Sequence, residues 1–258
     1  MMKRPSACSS VCRPPLCRVA GLLLWAGLLL AACSGDGYHY PSVRQELLTA
    51  YSGTDGTLQR VVTDRGRTYP VAQDRTDTHI APDSLLRILT NYQVDELSAD
   101  GDSAVTLYAL ARVVAPLPQP LSAYPQGISR HPVDVVSLWM GCGYLNLLLT
   151  VREQQGRHRF GYVEQQEPAT DDDGVLRVRL TLHHQVDDAQ RQDYAKRVYL
   201  SVPLWPYLQD AAVRRLHVQL TLTLYSGEER QYEFEVTGYG LPVGADLCVR
   251  PNGLKTNR

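Results

Sequence analysis

Apolar and polar residues alternate along most of the chain with a period of two, which is typical of β-strands that have one buried face. In the clearest case, 216–225, five apolar residues alternate with five polar or aromatic ones. The same alternation runs through 176–183, and through 230–237 after a Ser-Gly-Glu-Glu turn. The pattern predicts a hairpin between 216–225 and 230–237 and an all-β second half.

Seven short strands are predicted between residues 133 and 237, a number typical of a β-sandwich. Two of them, 133–140 and 144–151, flank Gly141-Cys142-Gly143, where glycine can supply the positive φ of a hairpin turn. The strand that ends at Val202 is stopped by Pro203. Only 205–216 has the character of a helical turn, between two sheet edges.

The first half predicts a small closed barrel. Its five candidate strands are 43–51, 58–63, 68–72, 85–94 and 105–114. The segment that follows is rich in Pro and Gly, and Pro cannot donate to a β-ladder. We therefore expect a barrel at 42–115, a linker at 116–131, a sandwich at 132–250 and a tail at 251–258.

The N-terminus has the pattern of a lipoprotein signal. Four basic residues precede an apolar stretch from Val19 to Leu30, which is shorter than the roughly 20 residues that a permanent membrane span needs. The stretch ends in Leu30-Ala31-Ala32-Cys33, which predicts a signal peptide at 1–32, a lipid on Cys33 and a flexible tether at 33–41. An ordinary signal peptide with an incidental cysteine is the alternative.

The lipid signal implies a protein that works outside the cytoplasm. Ser34, directly after the lipidated cysteine, favours the outer membrane. The residues that follow include a single acidic one, Asp36, which favours the periplasmic face over the cell surface. The whole chain has a net charge of −1, and removal of the basic leader makes it more acidic. An acidic chain has no electrostatic footprint for nucleic acid, which we do not expect as a partner.

Two cysteines besides Cys33 remain after the leader, Cys142 and Cys248. A disulfide between them can persist in an oxidising compartment, and two buried free thiols are the alternative. Two cysteines are too few for a structural zinc site, and no histidine pair has matching spacing. We expect neither a metal nor a cofactor.

The segment 133–147, with the sequence VDVVSLWMGCGYLNL, resembles the NigD-like lipoprotein family. Members carry a similar apolar strand followed by a Trp-x-Gly-x-Gly-Tyr-Leu-Asn turn, and 173–176 and 225–232 are similar too. The resemblance implies an N-terminal OB-type barrel and a C-terminal β-sandwich, with a suggested role in bacteriocin immunity. Cys142 departs from the family, which more often has an acidic or polar residue there.

Three residues of this motif are the candidate ligand platform: Trp139, Tyr144 and Asn146. In the structural interpretation the aromatic rings cover the sheet and Asn146 hydrogen-bonds the backbone. In the functional one, Trp139 and Tyr144 offer an aromatic surface to a sugar or a peptide.

No catalytic residues are predicted, since the chain lacks a Gly-x-Ser-x-Gly elbow and an evident Ser, His and Asp set. His183 and His184 point to opposite faces of a strand, one exposed and one half-buried, and cannot share a metal. Asp171 to Asp173 are read as a solvated turn rather than a calcium loop. We expect a non-enzymatic protein that binds another envelope protein or a bacteriocin. A glycan- or peptide-binding module, or a structural subunit, is the alternative.

Overall fold

The computed structural model describes residues 42–96, 103–152, 157–187, 194–210, 212–237 and 255–256. The predicted signal peptide, Cys33, the tether and Cys248 lie outside these residues. The described part contains fifteen strands and two short 3-10 turns, at Leu121–Ala123 and Trp205–Leu208. In this part, no helix has the length and apolar character to cross a membrane.

The first five strands form a closed barrel. They are β1 (Arg44–Ser52), β2 (Leu58–Thr63), β3 (Thr68–Asp74), β4 (Ser84–Glu96) and β5 (Ser103–Arg112). Their order is β1-β2-β3-β5-β4, and the pairing of β4 with β1 closes the ring. Alternate residues such as Leu48, Ile88 and Val105 fill the interior and are fully buried. The predicted five-stranded barrel is confirmed.

The remaining strands form two packed sheets. They are β6 (Gln119–Pro120), β7 (Asp134–Gly141), β8 (Tyr144–Val151), β9 (Arg157–Glu164), β10 (Ala169–Thr170), β11 (Val175–Asp187), β12 (Lys196–Pro203), β13 (Arg215–Thr223), β14 (Glu229–Thr237) and β15 (Lys255–Thr256). One sheet has the order β14-β13-β11-β9-β6, with β10 beside β11, and the other has the order β12-β8-β7. The two-residue β15 instead pairs with β4 of the barrel.

The sandwich core lies between these two sheets. Leu145, Leu147 and Leu149 of β8 meet Leu180 of β11 and Leu220 of β13, and all five are almost fully buried. The seven longer strands are the seven predicted from the sequence, and β13 and β14 form the expected hairpin. Alternation of apolar and polar residues predicted these strands because each has one face in this core.

The segment between the two domains lies against the sandwich. Val114 bridges to Leu200, β6 runs parallel to β9, and Arg130 bridges to His184. Tyr124 packs on the ring of His183 with 4.8 Å between centroids. The Pro-rich stretch is therefore held along the edge and outer face of the larger sheet, rather than serving only as a spacer.

Candidate functional site

The barrel and the sandwich share a buried contact, here called the junction. Interior barrel residues are at even positions of β1 and β4, yet the outward-facing Thr49, Tyr51, Leu85 and Arg87 are also buried. They are buried because the outer wall of the barrel packs on the outer face of the β12-β8-β7 sheet. A strand buried on both sides has no solvent-facing side, which explains the consecutive apolar residues Leu47-Leu48 in β1 and Leu85-Leu86 in β4.

Arg87 is the central residue of the junction, and its side chain is only 1% exposed. Nη2 pairs with Asp64 and donates to Oδ1 of Asn146 at 3.0 Å, while Nη1 donates to Oγ1 of Thr49 at 3.2 Å. Nε donates to Oγ of Ser201 at 3.4 Å. Because a buried guanidinium needs both a counter-charge and hydrogen-bond acceptors, these partners are what allow it to be buried.

Asp64 receives hydrogen bonds from three directions. Its Oδ1 faces Arg87, and its Oδ2 accepts Nδ2 of Asn146 at 2.9 Å and Nε1 of Trp139 at 3.3 Å. Gly141 lies next to the Asp64 carboxylate. A Cβ atom at position 141 would come within 2.6 Å of both carboxylate oxygens. Glycine is required there because the barrel carboxylate approaches the sandwich backbone so closely.

The Gly141-Cys142-Gly143 turn inserts between the two domains. Gly143 takes the positive φ, 73°, that the sequence predicted for this turn. Cys142 is buried in a cluster with Tyr51, Val62 and Leu85 of the barrel, and it is disulfide-bonded. Cys248 lies outside the described residues, so its pairing with Cys142 stays a prediction.

The three residues of the predicted ligand platform lie on one face of the β7-β8 hairpin but differ in burial. Asn146 is fully buried, and its amide pairs with Asp64, Arg87 and Ser201 rather than with the backbone, which corrects the structural interpretation above. Tyr144 is also buried, and the Arg87 guanidinium lies 4.4 Å from its ring centroid. Tyr144 borders only a small cavity of about 60 Å³, which it shares with Arg87 and Trp205. Trp139 is the half-buried residue of the three, and it borders a larger open space.

That open space is a cleft of about 520 Å³ at the edge of the junction, here called the junction cleft. Its walls come from the barrel on one side and from the β12-β8-β7 sheet on the other. Its lining residues are Gln45, Glu46, Leu47, Asp64, Arg65, Leu89, Ser137, Trp139, Met140, Leu148 and Tyr199. Trp139 is held in place there by its hydrogen bond to Asp64, so the indole is oriented before any ligand arrives.

Glu46 lines this cleft on the barrel side. Its Oε2 accepts a hydrogen bond from the Tyr92 hydroxyl at 3.0 Å. Burial, and then the neighbouring Glu46 carboxylate, raise the pKa of Tyr92 to about 12, so the hydroxyl stays a donor at any physiological pH. Arg65 is exposed on the same wall.

A histidine cluster lies elsewhere, on the larger sheet of the sandwich. His184 is 1% exposed, more buried than predicted, and its Nε2 lies 2.9 Å from Nδ1 of His158. Its Nδ1 lies 3.0 Å from the His131 carbonyl oxygen, and its ring stacks on Phe160. Burial lowers the pKa of His184 to about 4. His183 points the other way, as the alternation predicted, but it is half-buried rather than exposed, and its Nδ1 accepts the Ser129 N–H.

No arrangement of three or more His, Cys, Asp or Glu side chains among the described residues could hold a metal ion. Asp171 accepts the backbone N–H groups of Asp173 and Val175, as in the predicted turn. These hydrogen bonds, first that of Val175, lower the pKa of the Asp171 carboxyl. The expected lack of catalytic residues and cofactors stays a prediction.

Sequence reasoning missed Asp64, Arg87, Ser201 and Tyr199. One signal was available for Arg87, which stands alone among apolar residues in the strand Leu85-Leu86-Arg87-Ile88-Leu89. A lone arginine in a strand that is apolar at both odd and even positions indicates a buried, paired charge. Nothing comparable singles out Asp64, which reads as an ordinary Asp-Arg-Gly turn residue.

The comparisons with known proteins agree with this architecture. Residues 120–236 match the family model described as the NigD-like C-terminal beta sandwich domain. Among solved structures, a NigD-like immunity protein from Bacteroides caccae ATCC 43185 shares 32% identity with a TM-score of 0.63. That match covers 78% of this chain and 99% of the other. No sequence among curated proteins matches the chain.

Two further structures share the fold at lower identity. A candidate toxin-related protein from Parabacteroides distasonis ATCC 8503 is 16% identical, with a TM-score of 0.59 over 77% of this chain and 95% of its own. A candidate lipoprotein from Bacteroides fragilis NCTC 9343 is 12% identical, with a TM-score of 0.51 over 76% and 98%. These two structures show the fold alone. The 32% identical relative, whose length is matched almost entirely, shows together with the family model that the chain belongs to the NigD-like family.

Proposed function

We propose that this protein is a non-enzymatic, lipid-anchored protein of the bacterial envelope that binds another protein in the junction cleft. In the form that the family suggests, the bound protein is a bacteriocin and the role is immunity. The observation that carries the proposal is the cleft itself, which offers a half-buried Trp139 hydrogen-bonded to Asp64 between the two domains.

The lining of the junction cleft has the composition of a protein-binding hot spot. Such sites are enriched in Trp, Tyr, Met and Arg, and the cleft offers Trp139, Tyr199, Met140 and Arg65. Its volume falls in the range of roughly 300–1,000 Å³ that is typical of ligand sites. Because the junction fixes both walls, little ordering cost accompanies binding.

The location is proposed from the leader. The run that ends at Cys33 supports a lipid anchor, and Ser34 supports the outer membrane, with the periplasmic face favoured. Protease treatment of intact cells, followed with an antibody to the sandwich and a periplasmic control, tests the orientation. Protection of the sandwich supports the periplasmic face, and its loss while the control survives would reverse the assignment.

Site-specific photo-crosslinking in intact cells tests the binding role. Ser137 is exposed at the cleft, and Gln231 is exposed on β14 of the other sheet. A photo-reactive residue at position 137 is expected to capture one envelope or toxin protein, identified by mass spectrometry. The same residue at 231 serves as the matched control. Equal capture from both positions, or capture unchanged by Trp139→Ala, would count against binding in the cleft.

Immunity is tested separately by deletion of the gene. The deleted strain is expected to be more sensitive to at least one bacteriocin of its bacterial neighbours, and the full-length gene restores resistance. Complementation by Trp139→Ala is expected to fail if the cleft holds the toxin. Unchanged sensitivity of the deletion strain would argue against immunity but not against the binding of a partner protein.

A glycan is the second candidate ligand, since a fixed and half-buried indole such as that of Trp139 can also stack on a sugar ring. Binding of a defined glycan by the purified protein, lost on Trp139→Ala, would favour this alternative.

A further inference from the structure

Among the described strands, β7 is an edge strand of the smaller sheet. The smaller sheet has the order β12-β8-β7, and no other described strand pairs along the outer side of β7. Every second residue of an edge strand directs its N–H and C=O away from its partner strand. Ser137 to Gly141 therefore present unpaired backbone groups on the side away from β8.

The start of β1 also has a side on which no described strand pairs with it. Residues 44–47 pair with β4 on one side, but the ladder with β2 begins only at Leu48, which pairs with Thr63. The chain of β2 turns away at Asp64. On the side of β2, then, no described strand pairs with Gln45, Glu46 or Leu47.

Both edges border the junction cleft. Trp139 and Met140 are neighbours on β7 whose side chains point to opposite faces, since Trp139 contacts Asp64 of the barrel and Met140 packs on the sandwich core. Both nevertheless line the cleft, so the cleft reaches the strand β7 itself at this point. The same argument applies to Glu46 and Leu47 on β1.

We propose that the junction cleft binds an extended segment of the partner protein, which adds to the free edge of β7 as a further β-strand. The proposal rests on the proposed function and specifies how the partner is held. Affinity then comes from main-chain hydrogen bonds, and selectivity from side-chain contacts at alternate positions.

The dimensions of the edge define the segment. A β-bulge at Val136 interrupts the pairing of β7 with β8, and the Gly141 turn ends the strand. The stretch between them is about 13–17 Å long at roughly 3.3 Å per residue, enough for four or five residues of a bound strand. Val136 at the bulge is 48% exposed.

The floor of the cleft defines the sequence pattern. Ser137, Leu148 and Tyr199 form a row across β7, β8 and β12 on the same face as Trp139. Leu47 and Leu89, which are paired on β1 and β4, face them from the barrel. A bound strand would lie beside β7, so every second side chain would lie on the face of Trp139, between its indole and the barrel residues Leu47 and Leu89, and those side chains are apolar.

A polypeptide fits these walls better than a glycan does. Unpaired N–H and C=O groups that alternate along a strand edge match another strand in spacing and direction. A sugar satisfies single donors or acceptors but does not reproduce the repeat of a β-ladder. The occupant is therefore an extended peptide with an apolar residue at every second position.

Peptide binding to the detergent-extracted, full-length protein tests the inference, read by fluorescence polarisation. One set of short synthetic peptides alternates apolar and polar residues, and a matched set has the same composition with helical spacing. We expect binding only in the alternating set. N-methylation of alternate peptide amides, which removes donors but keeps side chains, is expected to weaken binding about tenfold or more in one register.

Variants of the protein complete the test. Trp139→Ala is expected to weaken peptide binding about tenfold, while Trp139→Phe, which keeps an apolar ring, loses less. Val114→Ala changes an exposed apolar residue outside the cleft and is the control. Binding that is unaffected by N-methylation, or no binding by any alternating peptide, overturns strand addition. If position 137 still crosslinks a partner in cells, the proposed function survives that failure.

Discussion

Nη2 of Arg87 in the barrel lies 3.0 Å from Oδ1 of Asn146 in the sandwich, and both side chains are buried. Asp64 pairs with both of them. The two domains are therefore joined through a charged group that has been removed from water, in addition to apolar packing. Loss of a single partner leaves a charge without compensation, which makes the junction sensitive to single substitutions.

Asp64→Ala is expected to lower the free energy of unfolding by about 3–5 kcal/mol, because it leaves the Arg87 guanidinium buried and unpaired. Urea unfolding followed by fluorescence measures the loss. Asp172→Ala, at an exposed position, is the control and is expected to change stability by less than about 0.5 kcal/mol. The double variant Asp64→Ala/Arg87→Met is expected to recover much of the loss, and no recovery would argue against the unpaired charge as its cause.

Gly141→Ala is expected to cost about 1–3 kcal/mol, because the added methyl group meets the Asp64 carboxylate. The same substitution in the Asp64→Ala background is expected to cost less, since the obstructing carboxylate is gone. A double-mutant cycle from thermal or urea unfolding measures the difference. Equal costs in both backgrounds would show that Asp64 is not the obstruction.

Tyr162→Phe is expected to leave the protein as stable or to stabilise it by about 1 kcal/mol. The Tyr162 hydroxyl is buried in the sandwich core and has no hydrogen-bond partner among the described residues. Tyr207→Phe is the matched comparison, because its hydroxyl donates to Glu164, and that change is expected to destabilise. A loss at Tyr162 larger than at Tyr207 would contradict the assignment.

Stability is expected to fall as pH decreases from about 6.5 to about 4. The pKa of His184 is lowered to about 4 by burial, whereas 6.5 is its ordinary value, so the unfolded chain binds a proton in this window and the folded chain does not. The slope approaches about 1.4 kcal/mol per pH unit at its steepest. His184→Phe is expected to flatten the dependence, and His79→Gln, at an exposed histidine, to leave it unchanged.

A peptide map under non-reducing conditions is expected to join the peptides that contain Cys142 and Cys248. Cys142 is disulfide-bonded, and after removal of the leader the sequence leaves Cys248 as its expected partner besides the lipidated Cys33. Reduction is expected to lower the melting temperature, since a lost structural disulfide typically costs about 2–5 kcal/mol. A cross-linked peptide with any other cysteine would refute the pairing.

The strands could be predicted because most of them bury one face, and burial of one face leaves a period of two in the sequence. Thus β13, with Leu216, Val218 and Leu220, was evident from the chain alone. The first strand was placed correctly for the same reason, although Leu47 and Leu48 are both buried. Two consecutive buried apolar residues in a strand indicate that both of its faces pack against other parts of the protein.

The junction could not be predicted, because its contacts join residues far apart in the chain. Asp64 meets Asn146 across 82 positions, and Arg87 meets Ser201 across 114. The sequence pattern around Trp139 indicates a candidate ligand site. Whether Asn146 faces solvent, the backbone or another domain depends on how the sheets pack. Only the folded chain shows that Trp139 borders the junction cleft while Tyr144 and Asn146 are buried in the junction.

The burial of Arg87 and Asp64 also limits how such proteins can diversify by recombination. A sandwich joined to a foreign barrel would require an acid and an arginine in the same places, together with a glycine at position 141. Exchange of one domain alone would remove one side of these contacts and destabilise the junction. The two domains are therefore expected to be inherited as a pair. New specificity would then arise through residues at the rim of the cleft, such as Gln45, Arg65 and Ser137, whose replacement leaves the shared interior intact.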